Sequence, residues 1–89
     1  MGKVYRQNKD IVFRPEEDEA IMFNPDNSDI IVINSTGCFI WQMFNGKNTK
    51  EDIVANMTKE FDVGKEKASE DLEDFVSKLE KKDFIEKIK

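Results

Sequence analysis

Ile30-Ile31-Val32-Ile33-Asn34-Ser35-Thr36-Gly37-Cys38-Phe39-Ile40-Trp41-Gln42-Met43-Phe44-Asn45-Gly46-Lys47-Asn48-Thr49-Lys50-Glu51-Asp52-Ile53 is the stretch whose reading decides the fold. Ile30 to Ile33 form the most β-prone run of the chain, rich in branched side chains that suit a pleated surface. Alternation puts Ile31 and Ile33 on one face and Ile30 and Val32 on the other. Ser35 or Thr36 can then accept from the first free N–H groups of a short helix of about residues 36–44, which carries Trp41 and stops at Asn45-Gly46. Thr49 with Asp52 three residues on resembles a capping box, and Ile53, Val54, Met57 and Phe61 give a second helix one apolar face that ends at Val63-Gly64.

Upstream, Ile11 to Arg14 and Ala20 to Phe23 read as two short strands around the acidic turn Pro15 to Glu19. Asn24-Pro25-Asp26-Asn27-Ser28-Asp29 is a second turn. Downstream, Ala68, Leu72, Phe75, Val76 and Leu79 make the apolar face of a third helix of about residues 65–82, and Asp83-Phe84-Ile85-Glu86 adds a last apolar pin. The expected architecture is therefore α+β, a winged helix-turn-helix with an N-terminal three-stranded antiparallel sheet followed by three helices. Residues 1–89 form a single domain, in which polar residues 1–10 are expected to be loose and the residues after Ile85 to fray.

Composition narrows the chemistry. There is no His, and Cys38 has neither a disulfide partner nor a neighbour at metal-ligand spacing, so no metal site and no cofactor are expected. Without a His base or a cationic cluster, Cys38 reads as a packing residue rather than a nucleophile. Trp41 reads as a core anchor, and the carboxylates of residues 16–19 as a solvated turn without the length or glycine of a calcium loop. No nucleophile–base pair or phosphate loop is present, which argues against an enzyme. An unpaired thiol and an N-terminus without an apolar signal core point to the cytoplasm, and no apolar run approaches the roughly 20 residues of a membrane span.

The order Arg14, Glu17 to Glu19, Ile21 to Phe23, Pro25, Ile33-Asn34, Ile40-Trp41, Asn45-Gly46, Thr49, Asp52-Ile53, Asp71-Leu72, Phe75, Leu79 and Phe84-Ile85 resembles the PqqD family and the wider class of peptide recognition elements in ribosomal peptide modification. Asp83 stands where that pattern usually has Gly before the final apolar pair, which bears on the turn after the third helix and not on the fold. The resemblance implies a non-catalytic chaperone that captures the leader segment of a precursor peptide by β-strand addition and delivers it to a modifying enzyme, a radical S-adenosylmethionine maturase by analogy. An open strand edge can accept such a guest through its backbone groups. The implied leader-binding residues are Ile30, Ile31, Val32, Ile33 and Asn34 on the strand, with Lys67, Asp71, Leu72, Phe75 and Lys78 on the third helix. An interior strand with both edges paired is the alternative for Ile30 to Ile33, and the favoured open-edge reading rests mainly on the resemblance. A monomer is the expected working form, with an edge-paired or swapped dimer as the alternative assembly.

A DNA-binding transcription regulator is the competing reading, because winged helices commonly bind DNA. Charge opposes it. The chain carries 14 basic and 19 acidic residues, the second helix opens Lys50-Glu51-Asp52, and the third carries Glu66, Glu70, Asp71, Glu73 and Asp74. Neither nucleic acid nor membrane is expected as a partner.

Overall fold

The computed structural model describes residues 3–88. In chain order its elements are β1 (Val4–Gln7), β2 (Val12–Pro15), β3 (Glu19–Asn24), β4 (Asp29–Asn34), α1 (Ser35–Gln42), β5 (Asn45–Thr49), α2 (Lys50–Glu60), α3 (Lys65–Lys81) and β6 (Ile85–Lys87). The expected three-stranded antiparallel sheet is β2–β3–β4, and the three expected helices follow it. β3 and β4 pair in unbroken register from Glu19 opposite Asn34 to Asn24 opposite Asp29. Ala20, Met22, Ile31 and Ile33 point from this sheet into the core, against Ile40 and Trp41 of α1 and Leu72, Val76 and Leu79 of α3. Trp41 is the anticipated anchor at 4 % exposed, stacked on Phe13 and edge-on to Phe44.

A second sheet, β5–β1–β6, overturns two expectations. Residues expected to be loose form β1 from Val4 onward, the middle strand, with Val4 and Tyr5 buried; residues 1 and 2 lie outside the described residues. The tail expected to fray after Ile85 is β6, which pairs with β1. β1 holds because its backbone is paired on both sides and Gln7 closes the end of α1, its N–H on the Phe44 carbonyl and its side-chain amide on the Trp41 carbonyl. Asn45-Gly46 does more than stop a helix: it opens β5, with Gly46 at φ 81°. The cap of α1 is also one residue earlier than expected, since the Asn34 side chain accepts from the Gly37 N–H at 2.9 Å. The capping box of Thr49 and Asp52 is formed as read.

The turn after α3 explains how Asp replaces Gly. Asp83 takes φ 62°, its N–H reaches the Glu80 carbonyl, and the Phe84 N–H reaches Leu79, which together form a left-handed helix stop with the buried Phe84 behind it. Asp tolerates this conformation better than most residues because its short polar side chain can bond locally. The carbonyls left over are claimed by asparagines. Asn24, fully buried, donates to both the Lys82 and Asp83 carbonyls, while Asn27 donates to Lys82 and Asn8 to Asp83. Asp83→Gly is expected to raise stability by at most about 1–2 kcal/mol by relieving the left-handed strain, and Asn24→Ala to lower it by about 1–3 kcal/mol by stripping buried hydrogen bonds. Urea denaturation of the two variants measures both.

Candidate functional site

β4 is bonded to β3 on one side, and among the described residues no strand pairs with its other side. Its alternate N–H and C=O groups therefore face outward in the plane of the sheet. The sheet's opposite edge, β2, is a poorer template: it is four residues long and ends in Pro15, which has no N–H to offer. β4 offers six residues without a proline.

Beside the open edge lies a groove of about 390 Å³, lined by Val32, Ile33 and Asn34 of β4, Thr36, Gly37 and Ile40 of α1, and Asp71, Asp74, Phe75 and Lys78 of α3. Gly37 sets its depth. A Cβ there would stand 2.9 Å from the Ile33 Cβ and 3.4 Å from the Phe75 ring, so the first turn of α1 lies against β4 only because residue 37 lacks a side chain. The half-buried Phe75 forms part of the wall, with its ring stacked on Phe44 at 6.2 Å. Asp71, Asp74 and Lys78 supply charge on the helix side, and Asp71 is held by Lys67 at 3.2 Å.

The structure thus brings together Val32, Ile33, Asn34, Asp71, Phe75 and Lys78 of the expected set. Four others fall elsewhere. Ile30 projects from the outer face of the sheet at 64 % exposed, and the Ile31 side chain is in the core, although both backbones remain on the open edge. Lys67 touches the groove only through Asp71. Leu72 is a correction: at 1 % exposed its side chain belongs to the core, because it stands one position from Asp71 on a helix and so faces about 100° away. Thr36, Gly37, Ile40 and Asp74 were missed by the sequence reading. The spacing of Thr36, Gly37 and Ile40 at i, i+1 and i+4 was the available signal, a stripe on one side of a helix that begins where the strand ends.

Cys38 of α1 is half-buried against the core and does not line the groove, and burial pushes its thiol pKa up. Among the described residues no group of His, Cys, Asp or Glu could hold a metal ion, and no helix is long and apolar enough to cross a membrane. The arrangement is suited to holding an extended chain: a line of backbone donors and acceptors, an aromatic wall, and carboxylate and ammonium groups for a few side-chain contacts.

Residues 19–85 match the family model of coenzyme PQQ synthesis protein D, PqqD. Among solved structures, the chain is similar to one described as TbiB1 in complex with the TbiA(beta) leader peptide, at 22 % identity and a TM-score of 0.80, covering 91 % of this chain and 94 % of that one. It is also similar to the heterocyclase TruD, at 17 % identity and a TM-score of 0.64, covering 97 % of this chain but 12 % of that one. Comparison with curated protein sequences finds no match. Both structural similarities establish the fold.

Gly37→Ala is expected to cost about 1–3 kcal/mol, because the β4–α1 contact must spread to admit the methyl group; thermal or urea melts measure it. Cys38 is expected to react with iodoacetamide at pH 8 more slowly in the folded protein than in urea, since its raised pKa leaves less thiolate at that pH.

Proposed function

We propose that this chain, which belongs to the coenzyme PQQ synthesis protein D (PqqD) family, is a non-catalytic peptide chaperone that captures the leader segment of a ribosomally made precursor peptide and presents it to a modifying enzyme. The observation that carries this reading is the open edge of β4 running beside the groove of Gly37, Ile40 and Phe75. An extended peptide added to β4 would satisfy both its own backbone groups and those of the strand, while alternate side chains enter the groove. The leader peptide bound in the TbiB1 complex supports a peptide as the guest, on a chain that this one matches along almost its whole length. The heterocyclase TruD, which contains the same fold within a much larger chain, supports a modifying enzyme as the second partner. By analogy with the family that enzyme is a radical S-adenosylmethionine maturase, met in the cytoplasm by a monomer of this chain.

The groove asks for a mixed guest. Phe75 and Ile40 favour an apolar side chain, Asp74 favours a basic one nearby, and Lys78 an acidic one. Ordering a flexible leader costs about 2–5 kcal/mol, which leaves affinity in the micromolar range or somewhat tighter. The DNA-binding alternative finds no support in the helices, because Glu51 and Asp52 occupy the first turn of α2 and Glu66 that of α3, where a phosphate backbone would approach.

The test uses 15-residue peptides selected against the full chain from a random display library. Binders are expected to protect the amides of Ile30 to Asn34 from hydrogen exchange, to lose about tenfold or more in affinity when alternate peptide amides are N-methylated in one register but not the other, and to bind Phe75→Ala about tenfold more weakly. Failure to select any binder, or selected peptides that protect another surface, overturns the proposal.

A further inference from the structure

The outer face of the β2–β3–β4 sheet is apolar where an antiparallel sheet normally meets water with polar side chains. Strand pairing puts Val12, Phe23 and Ile30 in one row across the sheet and Arg14, Ile21 and Val32 in the next. Val12, Ile30 and Val32 are 54 %, 64 % and 54 % exposed, with Ile21 and Phe23 half-buried between them. Five neighbouring apolar side chains on one exposed face form the kind of patch that interaction surfaces carry.

Charge identifies what. Residues 9–34 hold seven acidic and two basic side chains, and the rest of the chain holds twelve of each, so the whole net charge of −5 resides in this sheet and its turns. Glu16, Glu17, Asp18 and Glu19 border one end of the apolar face, and Asp10, Asp26 and Asp29 the other. Arg14, in the second row, is already paired with Glu16 at 3.5 Å. A second copy stacked face to face about a two-fold axis would set carboxylates against carboxylates whichever way the strands ran, so self-association through this face is opposed. A partner with an apolar centre and a rim of lysine and arginine would be complementary at both ends.

We propose that this face docks such a surface, and that its owner is the enzyme that modifies the peptide held on β4. The identity of the partner rests on the function proposed above. A peptide added beside β4 would continue the same face with its own outward side chains, so the enzyme would meet sheet and peptide as one surface. Recruitment is then coupled to loading, with the peptide edge and the enzyme face sharing β4 as their common strand.

The test places the photocrosslinker p-benzoylphenylalanine at Val12 in the full chain, with Lys59 on the exposed side of α2 as the control position, in the native host. The expected adduct forms from Val12 alone and contains a peptide-modifying enzyme. That enzyme, purified, is expected to bind Val12→Asp and the Glu17→Lys/Glu19→Lys double variant about tenfold or more weakly than the unaltered chain, and to bind less tightly as salt is raised. Both variants should retain a cooperative melt and bind the display-selected peptides within about twofold of the original affinity. An adduct with a second copy of the chain, the same adduct from both positions, no adduct, or enzyme binding indifferent to both variants overturns the docking proposal. If the enzyme docks through Val12 but no peptide engages β4, the peptide reading falls and the docking face stands; if peptides engage β4 and the variants leave enzyme binding unchanged, the docking face falls alone.

Discussion

Asn34 is both the last residue of β4 and the cap of α1, and this double duty fixes the rest of the site. Its side chain takes the Gly37 N–H, so the chain turns from strand to helix without a loop, and the helix begins in contact with the strand it has just left. A loop of ordinary length at this junction could fold over the strand and cover its outer groups. With none, α1 lies against β4 at Gly37 while the edge stays bare, and α3 supplies the facing wall through Phe75. The hydrogen-bonding line and the groove are therefore products of one junction.

The helices and the main sheet were legible because each carries a local signal that agrees with its tertiary role. Ile31 and Ile33 alternate with Ile30 and Val32, Thr49 and Asp52 box the start of α2, and α3 repeats its apolar residues at helical spacing. The second sheet was illegible for an equally physical reason. β5 is Asn-Gly-Lys-Asn-Thr, without one apolar side chain, and β1 offers only Val4 and Tyr5. These strands exist because β1 finds pairing partners on both sides from segments some 40 and 80 residues away, information that no local window contains. The site was half legible for a mixed reason. Spacing along α3 identified Phe75 and Lys78, but assigning Leu72 to the groove treated neighbouring residues of a helix as sharing a face. The contribution of α1 depended on the approach at Gly37, a distance rather than a pattern.

The β2–β3–β4 sheet and its turns concentrate three properties that proteins usually keep apart: a free edge, an apolar outer face and the whole of the uncompensated charge. A free edge beside exposed valine and isoleucine is a hazard for sheet-to-sheet aggregation. The carboxylates at both ends of the strands counter it, since copies that approach along the sheet meet repulsion before they meet apolar surface. The acidic turn of residues 16–19, which looked merely solvated as a sequence, thereby protects the sheet whose groups it flanks.

The three asparagines at the end of α3 have a mechanical consequence. Asn24 and Asn27 fasten the β3–β4 turn to the Lys82 and Asp83 carbonyls, and Asn8 fastens the segment after β1 to the same place. The strand and the helix that face each other across the cleft are thus riveted at one end, as the two blades of a pair of tweezers are joined at the heel. Side chains placed between them would press against a cleft fastened at this heel and closed down at the other end by the Gly37–Phe75 approach, an arrangement that opposes sliding of one blade along the other.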